Sequence, residues 1–107
     1  MRMEKRRPHH DLEAFKAVCG NVETLAITWV AAEGAATMRL TRPDVARIVR
    51  TMSRGMFVKS MTSYHDHRTW QDVYHVPLAD GRIAYVKFRD DVITRFVLLS
   101  FKDRYDG

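Results

Sequence analysis

The apolar pattern changes period near Gly55, and that change constrains the fold more than any other feature of the sequence. Before Gly55 the apolar residues recur at helical spacing. After it, β-branched and aromatic residues alternate with polar ones. No repeat or low-complexity linker separates the two stretches, and 107 residues is the size of one domain. Helices followed by strands predict a single α+β domain over residues 1–107, with an antiparallel meander backed by N-terminal helices.

In the first half, Pro8 and Asp11 predict a helix over about residues 9–19, with Leu12, Phe15 and Cys19 on one stripe. Gly20 offers a left-handed C-cap. Leu25 and Ile27 suggest a short strand, and Val30–Thr37 a second helix. Thr41-Arg42-Pro43-Asp44 reads as a capping box. It opens a third helix carrying Val45, Ile48, Val49 and Met52 and ending at Gly55. Arg47, Arg50 and Arg54 fall about 180° from that apolar set at 100° per residue. They make either a solvated face or a surface that steers phosphates.

In the second half, strands are expected over Met56–Met61, Trp70–Val76, Ile83–Phe88 and Arg95–Lys102. The last reads as a buried strand. Asp80-Gly81 marks a turn, and Arg89-Asp90-Asp91 a second turn region. Register is open at the first turn. A two-residue loop sets Tyr85 opposite Val76; a three-residue loop, Ala79–Gly81, sets it opposite His75 and on the face of Gln71.

Composition excludes several function classes. No apolar run approaches the ~18–20 residues of a membrane span, and no apolar segment follows the basic start as in a secretory signal. The lone Cys19 rules out an internal disulfide and a Cys-rich zinc site, and fits a reducing cytoplasm. Eighteen Lys and Arg against thirteen Asp and Glu give a net charge of +5, which suits a polyanionic or acidic partner. The surplus is concentrated in residues 1–54, with ten basic and six acidic groups against eight and seven in residues 55–107.

His65, His67 and His75, with Asp66 and Asp72 nearby, lack a metal-site pattern, and no metal is expected. No GxSxG, P-loop or GxGxxG occurs. A polar set remains among the strands: Lys59, Gln71, His75, Tyr85 and Lys87. These suit phosphodiester chemistry on RNA, whose 2′-hydroxyl is its own nucleophile. Tyr64 and Trp70 could stack bases. Half-exposed strands commonly alternate polar and apolar residues in the same way, and Trp70 is more often a core residue, so spacing alone favours the plainer reading.

The segments MEKRRPHHDL, FVKSMTSYHDHRTWQDVY, YVKF and LLSFK resemble the motility quorum-sensing regulator family, the MqsR-type toxins, over about Met3 to Lys102. The resemblance implies a RelE-like, twisted and mainly antiparallel sheet packed against helices. It also implies the toxin of a type II toxin–antitoxin pair: a metal-independent endoribonuclease that cuts mRNA at GCU-type sites and arrests growth. Its partner would be an MqsA-type antitoxin with a zinc site and a helix-turn-helix. By motif, the catalytic positions are Lys59, Gln71 and Tyr85. Met61, His67 and Lys87 are neighbours that could contact RNA, as could Arg47, Arg50 and Arg54. Val92-Ile93-Thr94-Arg95 stands where the family usually has His-Asp-Val. The competing expectation is a basic RNA- or ribosome-binding module that blocks translation without cutting.

Overall fold

A computed structural model describes residues 2–105. The elements run β1 (Glu4–Lys5), α1 (Leu12–Cys19), α2 (Trp29–Thr37), α3 (Arg42–Arg50), a 3₁₀ turn (Arg54–Met56), β2 (Phe57–Thr62), β3 (Trp70–Pro77), β4 (Ile83–Asp91) and β5 (Arg95–Asp103). The strands form one antiparallel sheet in the order β1-β2-β3-β4-β5. The expected α+β architecture is present, with helices preceding the main strands and packing on one face of the sheet. No helix among the described residues is long and apolar enough to cross a membrane.

Each helix starts where a side chain satisfies its free amides. Asp11 accepts from the Glu13 and Ala14 amides, so α1 begins later than expected. His9 and His10 cannot join it, because their amides donate to the Asp72 carboxylate in β3. Thr28 accepts from the Ala31 amide at the start of α2 and donates to the Leu99 carbonyl of β5, which ties the helix to the sheet. The Thr41–Asp44 capping box is formed. However, α3 ends at Arg50 with Thr51 as its cap, and Gly55 lies in the 3₁₀ turn beyond.

Two glycines are needed for close approach. Gly20 has φ −81°, so the expected left-handed cap is not there; a Cβ at this position would instead meet the Lys16 carbonyl and the Arg50 side chain. A Cβ on Gly34 would run into the Phe101 carbonyl, so α2 lies directly on the backbone of β5.

The expected Leu25–Ile27 strand is reduced to a single parallel bridge from Ile27 to Leu98. The Leu98 amide donates to Ala26 and the Thr28 amide to Leu98, covering part of an exposed edge. That edge belongs to β5, which lies at the margin of the sheet and owes its apolar run to packing against α2. The Arg89–Asp91 turn is also displaced. β4 continues through Asp91, and the loop is Val92-Ile93-Thr94, held by the Asp91 carboxylate. β1 was not anticipated; its pairing with β2 rests on backbone bonds that a basic arm does not advertise.

The core lies between the helices and one sheet face. Phe15 of α1 stacks on Phe88 of β4 with ring centroids 3.6 Å apart, and Tyr74, Phe96 and Phe101 complete the aromatic layer. Cys19 is buried here and its thiol is pushed up to about 11 by desolvation, which makes it a packing residue.

Candidate active site

The β3–β4 register decides what the open face of the sheet can do. His75 pairs with Tyr85, and Leu78 closes on Arg82 around the three residues Ala79–Gly81. Gly81 has φ 92°, the left-handed residue that lets such a loop return in register. Tyr85 therefore shares the face of Gln71, away from the helices.

Cross-strand pairing arranges that face in three rows. Glu4, Met61 and Gln71 form the first, Lys59, Val73, Lys87 and Ser100 the second, and His75, Tyr85 and Lys102 the third. Successive rows along a strand are about 6.8 Å apart. Gln71 and Tyr85 thus stand on opposite sides of the lysine row rather than side by side. Val73 is fully buried and floors the middle row, flanked by Lys59 on one strand and Lys87 on the other.

Burial favours neutral side chains on this surface. Desolvation holds the Lys87 ammonium below its ordinary pKa, with repulsion from Lys102 and Arg2 adding to it. Desolvation raises the Tyr85 phenol and lowers His75. Lys102 Nζ lies 5.4 Å from the Tyr85 ring centroid. Lys59 is engaged by Glu4, with Nζ 3.2 Å from Oε1.

The other expected residues divide. Met61 is buried beneath the groove that Arg2, Tyr64, His65, Gln71 and Lys87 also line. His67 is exposed in the turn held by Asp66 and is not among those lining residues, whereas His65 is. Arg47 and Arg50 lie on the helical side of the sheet, where Arg47 bonds Asp44 and Arg50 donates to the Gly20 carbonyl. Arg54 is not on α3 at all; it packs over Phe57 from the 3₁₀ turn. Trp70 is no open base platform either, because His9 stacks on it and Lys5 lies 4.2 Å from its ring centroid. Asp72, on the same side, is consumed by the His9 and His10 amides and the Ser60 hydroxyl. Among the described residues, no three His, Cys, Asp or Glu side chains come together to hold a metal ion.

Arg2 and Glu4 were not anticipated as site residues. Their only sequence signal is charge in a short basic arm, and β1 pairing brings Arg2 to the groove and Glu4 to Lys59.

Residues 7–103 match the family model described as motility quorum-sensing regulator, toxin of MqsA. The mRNA interferase toxin MqsR of Escherichia coli (strain K12) is 35% identical over 102 residues, covering 95% of this chain and all of the relative. The chain belongs to the motility quorum-sensing regulator family of toxins.

Proposed function

We propose that the open face of the sheet cuts mRNA, with the scissile phosphate lying over Val73 between Lys59 and Lys87. The chain is an endoribonuclease toxin, and the arrangement of its rows supports a specific division of labour. In-line displacement at phosphorus needs the nucleophile and leaving group on opposite sides. Gln71 and Tyr85 flank the lysine row on opposite sides. That placement carries the proposal.

Gln71 orients the attacking 2′-hydroxyl. Lys87 takes its proton when its amine is neutral, a form that burial makes easier to reach by lowering its pKa. The 2′-oxygen–phosphorus bond forms while the phosphorus–5′-oxygen bond breaks. The products are a 2′,3′-cyclic phosphate and a 5′-hydroxyl. Tyr85, kept protonated by its raised pKa, donates to the leaving 5′-oxygen. Lys59 stabilises the extra negative charge on the phosphoryl oxygens. Every proton and charge is handled by a side chain, so cleavage proceeds without a metal.

By family resemblance the preferred sites contain GCU, and cleavage arrests growth in the cytoplasm. The antitoxin is an MqsA-type protein with a zinc site and a helix-turn-helix. The matching family is described as the toxin of MqsA, which supports that pairing. Arg47 and Arg50 contribute only long-range attraction to RNA or an acidic partner surface.

Purified protein incubated with GCU-containing RNA in excess EDTA should yield fragments with 2′,3′-cyclic phosphate ends. A 2′-deoxy substitution at the attacking nucleotide should abolish the cut. Loss of cleavage in EDTA would overturn the metal-free mechanism, and intact RNA alongside blocked translation would replace it with a binding module. Lys59→Ala and Tyr85→Phe should each reduce cleavage by about 10²-fold with thermal stability retained; undiminished cleavage by both would move the site elsewhere.

A further inference from the structure

We infer that Arg2 and Tyr64 form a seat for the nucleotide whose 2′-hydroxyl attacks. Tyr64 would stack its base and Arg2 would hold its 5′ phosphate, at the place Glu4 occupies in the free protein. This rests on the proposed cleavage site and specifies the RNA contacts on its Gln71 side. Arg2 lies outside residues 7–103, the span of the family match, so membership assigns it no role.

Two observations carry the inference. First, two cations converge on one oxygen. Glu4 Oε1 lies 3.2 Å from Lys59 Nζ and 3.8 Å from Arg2 Nη2. A carboxylate oxygen that accepts a hydrogen bond from an ammonium and lies within ion-pair reach of a guanidinium occupies a position suited to a phosphate oxygen. The Arg2, Lys59 and Glu4 side chains are 34%, 32% and 47% exposed, so solvent reaches and screens the cluster and an incoming phosphate can compete with the carboxylate. Second, the Arg2 guanidinium sits 4.6 Å from the Tyr64 ring centroid, and Tyr64 is 77% exposed. One aromatic face is thus backed by a cation while much of the ring remains available to a base. Both residues line the groove containing Gln71 and Lys87. Gln71 stands beside Met61 in the same row as Glu4, on the nucleophile side of the lysines. The nucleotide seated there is the one that supplies the 2′-hydroxyl.

Steady-state cleavage of a short GCU-containing RNA tests the seat, using substrates with or without a neutral methylphosphonate at the phosphate 5′ to the attacking nucleotide. Arg2→Ala should raise KM about tenfold, with the loss falling chiefly on KM rather than kcat. On the methylphosphonate substrate that penalty should nearly vanish, because the two changes remove the same contact. Tyr64→Ala should raise KM to a similar extent, and Tyr64→Phe should restore it. Glu4→Gln should lower KM severalfold by removing the competing carboxylate. Arg39→Gln, the same loss of charge on an exposed residue of the helical layer, should leave both constants within twofold of wild type.

If wild type does not cleave, the underlying cleavage assignment fails. If wild type cleaves but Arg2→Ala stays within twofold in KM, or its penalty is unchanged on the methylphosphonate substrate, the seat is overturned. A rise in KM with Glu4→Gln would make Glu4 a positioning residue for the cations and overturn its displacement by phosphate.

Discussion

The two faces of this sheet use the same strands for opposite purposes. On the helical face, Tyr74, Val76, Val86, Phe88 and Leu98 are fully buried against α1, α2 and α3. On the open face, Gln71, His75, Tyr85 and Lys87 keep partial access to solvent, while Val73 and Met61 are buried beneath them. Phe88 and Lys87 are adjacent in sequence yet belong to different physical regimes. A strand's two-residue period lets stability and chemistry vary independently, because neighbouring side chains share a backbone but few surroundings.

The sharpest way to break this contrast is to exchange the consequences of the two neighbours. Phe88→Ala removes a ring stacked on Phe15 and should cost about 3–5 kcal/mol in denaturant unfolding. A cost below about 1 kcal/mol would mean that the helical face is not the stabilising one. Lys87→Met should reduce cleavage by about 10²-fold while leaving the unfolding free energy equal to wild type or higher, since a half-buried charge is removed. A destabilised but fully active Lys87→Met would reverse the division between the faces.

The pH response sharpens the same point. Lys87 is held below its ordinary pKa, so in the window between its folded and unfolded values the unfolded chain binds more protons. Wild-type stability should therefore rise with pH relative to Lys87→Met across that window, and the penalty for burying the ammonium is complete below the folded value. Cleavage should rise with pH through the folded value as the neutral base accumulates, and Lys87→Met should flatten that limb. A rate that falls as Lys87 loses its proton would assign it to charge stabilisation instead. Val73→Ala should give the smallest effect, about 1–2 kcal/mol from two lost methyl groups. It measures what the floor of the lysine row contributes to packing.

The sequence reveals the elements that depend on local chemistry. The Thr41–Asp44 box and the Asp80-Gly81 turn are written in adjacent residues, and both form. The Arg95–Lys102 strand is equally plain, but its apolar run does not tell a central strand from an edge strand covered by a helix. Features set by distant partners are hidden. Leu25 and Ile27 have strand chemistry, but among the described residues only Ile27 pairs, through a single bridge to Leu98. Asp72 looks like a potential ligand until the His9 and His10 amides reach it across more than sixty residues. The motif residues Lys59, Gln71 and Tyr85 could be named from resemblance, yet their order across the face could not, because a one-residue change in the hairpin loop turns Tyr85 away. For the same reason Lys87 reads as a neighbour in sequence and stands in the middle row in space.

The anchoring of His9 and His10 on Asp72 also bears on how the molecule is made. A ribosome releases the N-terminal segment first, but its docking site on β2 and β3 emerges some sixty residues later. Arg2 cannot reach the groove, nor Glu4 its Lys59 partner, until that hairpin exists, and Tyr85 and Lys87 follow on a still later strand. Contacts of such long sequence separation form late and slowly. A nascent copy therefore has no assembled open face until β4 has been synthesised and paired with β3.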